Sequence, residues 1–148
     1  MKKNMNKGFS LVELIIVIAI MAVLVGVLAP QFIKYVESSR QSTDIDNLAE
    51  YKAAVEAAVA DVMADGEDAA GAKIVVTGGA SGSIKVDGNT KVKDKVADVG
   101  LNTTTLKSKG WPSGNATYDD SNFKWNVDGS LSTQNTKKPN KKLIAAFE

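Results

Sequence analysis

The chain begins with a long apolar stretch that contains a single charged residue. Between Phe9 and Ala29 that residue is Glu13, and the other side chains are apolar or small. These 21 residues, at about 1.5 Å rise per residue, make a helix of about 31 Å, close to the thickness of a bilayer's hydrocarbon core. The pattern therefore predicts a helix that spans a membrane.

After Pro30 the pattern becomes amphipathic, with apolar residues at helical spacing. Gly66 stands just past the last apolar position, where glycine commonly caps a helix. We predict one long helix from about Phe9 to Ala64. Thr43 could instead begin a separate helix, which leaves a break near Ser38–Ser42 as an alternative. The apolar positions recur every three or four residues: Ile45, Leu48, Tyr51, Val55, Val59 and Val62.

From Ala72 onward the sequence is typical of strands and turns. Lys73–Thr77 is short and rich in β-branched residues, and Ser83–Val86 alternates before the turn signal Asp87-Gly88. Lys91–Val99 alternates Lys and Asp with Val, as a half-buried strand or a loop would.

A hairpin is predicted near the end of this region. Asn122–Val127, followed by Asp128-Gly129, would carry Phe123 and Trp125 on one face. The fold class is therefore α+β: a long N-terminal α-helix, both membrane anchor and spine, packed on a small antiparallel sheet of three or four strands. Segments rich in Asn, Ser, Thr and Gly are predicted to be surface loops, at 78–82, 102–115 and 130–140.

Composition argues against most enzymatic chemistry. The chain has no cysteine and no histidine, so it lacks disulfides, thiol nucleophiles and the commonest general base and metal ligand. No pair of carboxylates stands out by spacing. We predict that the chain is not an enzyme and carries no cofactor. The net charge of +1 does not point to nucleic acid.

The charges before the apolar stretch predict its orientation. Lys2, Lys3 and Lys7 precede it, with no acidic residue among the first eight. By the positive-inside rule the N-terminus stays cytoplasmic and the C-terminal domain lies outside.

Glu13 requires an explanation, since a carboxylate at the centre of a membrane helix costs roughly 2.5–3.5 kcal/mol. An ordinary membrane anchor leaves it unexplained. A secretory signal peptide cut after Ala29 is another interpretation, but the apolar run is too long for one. A soluble core helix would not be apolar on every side. Glu13 could also simply be protonated and inert.

The segment Lys7-Gly8-Phe9-Ser10-Leu11-Val12-Glu13 resembles the signature of class III signal sequences, found in type IV pilins and pseudopilins. That signature has a basic leader ending in Gly, then Phe, and Glu as the fifth residue after the cut. Pro30 also lies where many family members have a helix-kinking proline. The resemblance covers Met1 to about Tyr35.

The resemblance implies that a prepilin peptidase cuts between Gly8 and Phe9 and methylates the new amino group of Phe9. Glu13 would then pair with the Phe9 amine, within its own chain or, as in the family model, in a neighbouring subunit of a helical filament. Further implied partners are a pilus assembly platform and the cytoplasmic membrane before assembly. The implied domains are a leader at 1–8 that is removed, a transmembrane and polymerisation helix at 9–30, and a globular head at 31–148.

Small residues on one face of the apolar helix favour close packing between helices. Ala19, Ala22, Gly26 and Ala29 follow one another at steps of three or four. Pro30 lacks an N–H and its ring crowds the Gly26 carbonyl. The helix is therefore predicted to distort between these two residues at a small cost in free energy.

Two sites in the head are weak candidates. Asp119, Asp120 and Asp128, with Asn126, could offer oxygen ligands to Ca²⁺, although solvated turn acids are the simpler interpretation. A basic segment could attract the phosphates of nucleic acid, but no aromatic residue interrupts it, and a solvated tail is simpler. Its lysines are Lys137, Lys138, Lys141 and Lys142. The apolar Leu143–Phe147 is predicted to dock on the head or on a neighbouring chain.

The function predicted from the resemblance is that of a structural subunit of a type IV pilus, the major pilin, serving adhesion, motility or surface attachment. One alternative is a pseudopilin of a type II secretion or competence system. Another is a membrane-anchored DNA- or surface-binding domain that never polymerises. The lack of cysteine departs from pilins that close a C-terminal loop with a disulfide and favours a Gram-positive source or a pseudopilin.

Overall fold

A computed structural model describes residues 8–128, 143 and 145–147. The chain divides into two compact units, Met1–Ser38 and Ser39–Glu148. The first unit consists, in its described part, of a short N-terminal stretch and the start of helix α1. The second contains the rest of α1, the sheet and a second helix.

Helix α1, Leu11–Ala64, is continuous. The alternative break at Ser38–Ser42 is therefore wrong, and the prediction of one long helix is confirmed. Thr43 is not an N-cap, because its Oγ1 donates to the carbonyl of Ser39, one turn earlier, at 3.1 Å. A threonine inside a helix commonly satisfies its hydroxyl in this way.

The predicted cap at Gly66 ends α1. Gly66 has φ 76°, in the left-handed region, and its N–H donates to the Met63 carbonyl at 3.0 Å. The Glu67 N–H donates to the Val62 carbonyl at 3.1 Å. These two bonds form a Schellman motif, which satisfies carbonyls that the helix leaves without partners.

The head contains a five-stranded sheet in which every neighbouring pair of strands is antiparallel, in the order β3-β2-β1-β4-β5. The predicted α+β class is confirmed, but the prediction of three or four strands is wrong, because part of a segment expected to be a loop also forms strands. The strands are β1 (Lys73–Thr77), β2 (Ser83–Asp87), β3 (Thr103–Thr105), β4 (Gly114–Asp119) and β5 (Lys124–Val127).

The segment expected to be a strand or loop at 91–99 is a helix, α2 (Thr90–Asp98). Asn89 begins it, since its Oδ1 accepts the N–H groups of Lys91 and Val92. Val92 and Val96, one helical turn apart, are both buried. The prediction of a strand or loop was wrong because two buried residues four positions apart fit both the two-residue period of a strand and the turn of a helix. A segment this short does not distinguish the two periods.

The loop expected at 102–115 is also partly wrong, because it contains β3 and the start of β4. The β4 strand lies between β1 and β5, and its Ala116 and Tyr118 are buried. The predicted hairpin is shifted: β5 pairs with the preceding β4, and Phe123 lies in their turn, exposed, with φ 55°. Phe123 therefore lies outside the strand that carries Trp125, although the two side chains line the same pocket. The other predicted turn residue, Gly129, lies outside the described residues.

The core of the head forms where the apolar stripe of α1 packs on one face of the sheet. Leu143 and Phe147 are buried in the same core, so the apolar end of the chain docks on its own head. Asp44 lies among these buried residues although it is charged. The stripe contributes Leu48, Tyr51, Val55, Val59 and Val62, and the sheet contributes Ile74, Val76, Ile84, Val86 and Ala116.

Candidate functional site

The start of α1 is a capping box. The Ser10 carbonyl accepts the first helical bond, from the Leu14 N–H at 3.2 Å, which makes Ser10 the N-cap. Its Oγ accepts the Val12 N–H at 3.4 Å, and Glu13 Oε2 accepts the Ser10 N–H at 2.9 Å. Serine at the N-cap with glutamate three residues later is the sequence of a capping box, and here the serine oxygen accepts the N–H of the second helical residue, Val12, and not that of Glu13. Two otherwise unpaired donors, the N–H groups of Ser10 and Val12, are satisfied in this way.

Glu13 thus has a partner inside its own chain, which sequence reasoning missed. The Ser-x-x-Glu pattern at Ser10–Glu13 is a sequence signal for this cap, whereas the cationic partner predicted for Glu13 does not exist before cleavage. In the uncleaved chain the nitrogen of Phe9 is part of the peptide bond to Gly8 and carries no charge. Pairing of Glu13 with a Phe9 amine therefore stays a prediction about a processed chain.

The bond between Gly8 and Phe9 lies outside the helix. Both residues lack regular secondary structure, and Phe9 is 91% exposed. A β-carbon built on Gly8 would meet no atom within 4 Å. Peptide bonds in such open, non-helical segments are the ones that peptidases reach most easily.

The apolar surface of the first unit is exposed from Phe9 to Tyr35. Helix α1 is long and apolar enough to cross a membrane, and none of the residues in its most apolar part is buried within the protein. Exposed apolar surface of this extent marks contact with lipid or with other proteins. This finding fits membrane anchoring through the N-terminal helix.

The small residues predicted to favour packing lie on this exposed surface. Ala19, Ala22, Gly26 and Ala29 are all exposed, and Pro30 lies inside the helix. A shallow apolar groove of about 310 Å³ includes Ala19 in its wall. Their role in assembly stays a prediction.

A buried carboxylate in the head was not predicted. Asp44 is 2% exposed, and its two oxygens accept three hydrogen bonds from one loop. The donors are the N–H groups of Lys107 and Ser108, each at 2.8 Å, and Trp111 Nε1 at 2.7 Å. Asp44 therefore ties the loop after β3 to α1, which is a structural role.

The acidic residues considered for Ca²⁺ are used differently. Asp119 accepts the Ser121 N–H at 3.1 Å and Asn122 Nδ2 at 2.7 Å, which holds the turn between β4 and β5. A hydrogen bond from the Ser121 hydroxyl is the main cause that lowers the pKa of Asp119. Within residues 8–128, 143 and 145–147, no group of three or more acidic side chains could hold a metal ion. The structure thus does not bring Asp119, Asp120 and Asp128 together as a metal site.

The lysines considered for nucleic acid lie outside the described residues. They are Lys137, Lys138, Lys141 and Lys142.

The N-terminal segment and most of the chain resemble known proteins in sequence. Residues 3–29 match the family model described as the prokaryotic N-terminal methylation motif. The chain is 32% identical over 136 residues to fimbrial protein EcpC of Eikenella corrodens, covering 84% of each chain. It is 30% identical over 104 residues to prepilin peptidase-dependent protein A of Clostridium perfringens, covering 66% of this chain and 71% of the relative.

The chain spans less than half the length of a further relative. The chain is 35% identical over 65 residues to the type IV major fimbrial protein FimA of Dichelobacter nodosus, which covers 44% of this chain and 42% of FimA. No solved structure matches. The N-terminal motif, the α+β fold and the two relatives matched over most of their length lead to one conclusion: the chain belongs to the type IV pilin family.

Proposed function

We propose that this chain is the precursor of the major structural subunit of a type IV pilus. A prepilin peptidase removes residues 1–8 by cutting between Gly8 and Phe9, and the new amino group is methylated. Residues 9–30 hold the subunit in the cytoplasmic membrane and then polymerise, so that residues 31–148 form the extracellular surface of the filament.

The observation that carries this proposal is the exposed apolar helix, whose first turn contains Glu13 as part of the N-terminal cap. Two environments can cover such a surface: lipid before assembly, and the same helix of other subunits afterwards. Because lipid tails are as apolar as leucine, leaving lipid for a helical bundle requires packing of small residues and polar contacts. The exposed Ala19, Ala22 and Gly26 offer the first, and Glu13 offers the second.

Cleavage would change what Glu13 can bind. It creates a cationic amine at Phe9, one residue before the amide that Glu13 accepts in the uncleaved chain. In surroundings of low dielectric constant, a carboxylate gains far more from a cation than it does in water. Pairing with the amine of a neighbouring subunit would also fix the axial register of one helix on the next, the best-attested use of a buried polar pair.

Two substitutions at Glu13 separate the charge from the cap. Glu13→Ala removes both, whereas Glu13→Gln keeps an oxygen that can accept the Ser10 N–H but removes the charge. We expect both variants to be processed and membrane-inserted, and both to be lost from filaments sheared off cells. Total processed protein in the envelope serves as the control. A normal filament yield from Glu13→Gln would contradict pairing of Glu13 with the Phe9 amine. A normal yield from both variants would refute any role of Glu13 in assembly.

A further inference from the structure

The exposed apolar surface of α1 does not end where the predicted membrane span ends. Beyond Ala29 and Pro30, Phe32 and Ile33 are each 67% exposed and Tyr35 is 73% exposed. The stretch from Leu11 to Tyr35 is about 37 Å long at 1.5 Å per residue, whereas the hydrocarbon core of a bilayer is about 30 Å thick. The last apolar residues therefore extend beyond the hydrocarbon.

The residues just past the span have the chemistry of a membrane interface. Gln31, Lys34, Tyr35 and Ser38 lie along one side of the helix and line a shallow groove of about 370 Å³. Tyrosine is enriched where a membrane helix meets water, because its ring is apolar and its hydroxyl is polar. Lysine can lay its apolar stem along the helix and extend its ammonium to lipid phosphate. Aromatic, aliphatic and cationic side chains thus occur together within five residues.

The distances agree with the thickness of one headgroup layer. A bilayer is about 40–45 Å thick with its headgroups, so each headgroup layer is about 5–7 Å deep. Phe32 lies three residues after Ala29 and Tyr35 lies six, which places them about 4.5 and 9 Å further along the helix. If Phe9–Ala29 fills the hydrocarbon, the backbone of Phe32 and Ile33 falls within the headgroups, that of Lys34 at their outer boundary, and that of Tyr35 just beyond it. Because side chains on a helix tilt toward its N-terminus, the Tyr35 ring reaches back toward the headgroups.

We propose that Phe32–Tyr35 is an interfacial anchor, seated in the lipid headgroups of the outer leaflet, which sets how deep the unassembled subunit lies in the membrane. The inference rests on the proposed function, because it takes Phe9–Ala29 to span the bilayer. Lipid covers this segment for two reasons. The exposed apolar side chains of the span resume at Phe32 after a single polar residue, Gln31, and the cation of the anchor, Lys34, complements the phosphates of the headgroups.

Depth measurements on the full-length chain test this anchor. Because the chain has no cysteine, a nitroxide can be attached at one introduced cysteine without other changes. We would label Ile18→Cys, Gln31→Cys and Ser38→Cys in separate chains, in vesicles of phosphatidylcholine and phosphatidylglycerol. The measured quantities are collision rates with oxygen, which concentrates in hydrocarbon, and with a water-soluble relaxing agent. We expect the Ile18 label in hydrocarbon, the Gln31 label near the phosphates, and the Ser38 label in water.

Each other outcome has a distinct meaning. If the Ile18 label lies in hydrocarbon but the Gln31 label is as accessible to water as the Ser38 label, the anchor is refuted and the proposed function stands. If the Ile18 label itself lies in water, the membrane span fails and the proposed function fails with it. Dipolar broadening of the Gln31 signal that disappears on dilution with unlabelled chain would assign the segment to a second copy and refute the lipid anchor.

A second comparison tests which side chains hold the anchor. Phe32→Ser with Tyr35→Ser should raise the water accessibility of the Gln31 label severalfold, to the level at Ser38. Val99→Ser, which replaces an exposed valine of the head, is the matched control and should leave the label unchanged. A Gln31 label that stays at the phosphates in the double variant would overturn the role of Phe32 and Tyr35.

Discussion

Replacing Asp44 should destabilise the head more than the loss of any exposed acid. Its carboxylate accepts three hydrogen bonds from the loop between β3 and β4, and in Asp44→Ala those three donors lose their acceptor. A hydrogen bond to a charged group contributes about 1.5–3 kcal/mol, and buried donors without partners carry a further penalty. Because the three bonds share one carboxylate, their losses do not add fully, and we expect a total of about 4 kcal/mol.

Asp44→Asn should have a smaller effect, because it keeps one acceptor. Its oxygen can serve Ser108 N–H and Trp111 Nε1, which both bond the same carboxylate oxygen, Oδ2. Its amide group then faces the Lys107 N–H, donor against donor. Loss of the charge and of one bond should cost about 2 kcal/mol. The two variants therefore form a graded series.

Thermal unfolding of the full-length chain in detergent would measure these losses. Both tryptophans lie in the head, so tryptophan fluorescence and near-ultraviolet circular dichroism report its unfolding, while only the apolar N-terminal part of α1 stays helical in the micelle. At about 4 °C per kcal/mol for a domain of this size, Tm should fall by about 16 °C in Asp44→Ala and about 8 °C in Asp44→Asn. Asp46→Ala, an exposed site on the same helix, should change Tm by less than about 2 °C. A Tm of Asp44→Ala within that margin of the parent would refute the reasoning.

Two further predictions concern local geometry in the head. Gly88 has φ 88° and an added β-carbon would lie 2.0 Å from the Gly71 carbonyl oxygen, so Gly88→Ala should lower Tm well beyond Gly100→Ala. Gly100 is the matched control because its φ is 90° but its β-carbon would meet nothing, and equal Tm losses would contradict the clash. Asp119 should titrate below its ordinary pKa of 3.8 in carbon-detected NMR, and Ser121→Ala should raise that pKa, since the Ser121 hydroxyl is the main cause of the shift. Because the pKa of Asp119 is lower in the folded than in the unfolded chain, the contribution of its carboxylate to stability is present above pH 3.8 and is lost as the pH falls through the folded pKa. An unchanged pKa of Asp119 in Ser121→Ala would contradict the role of the Ser121 hydroxyl.

The elements that the sequence predicts well carry their own local signals. The stripe of α1 repeats over several turns, Gly66 marks its end, and Lys73–Thr77 is β-branched along most of its length. Helix α2 was missed although Asn89 and Gly100 stand at its two ends, because alternating lysines and valines also suit a strand. Strong caps should have outweighed a pattern of only nine residues.

The elements that the sequence does not predict depend on distant partners. The β4 strand begins Gly-Asn-Ala, which has low strand propensity, and it is a strand because β1 and β5 pair with it on both sides. Asp44 is buried by a loop that donates hydrogen bonds to its carboxylate. That loop lies more than 60 residues further along the chain, so the sequence around Asp44 does not reveal it. Nothing local to Asp44 distinguishes it from exposed Asp46.

The intact mass of the protein from its native host tests the central claim most directly. It would be measured both in the cell envelope and in fibres sheared from the cell surface. The account predicts a chain that begins at Phe9, one methyl group heavier than the unmodified sequence, in both fractions. A chain that retains Met1–Gly8 in the fibres, or one that begins at Pro30, would contradict it.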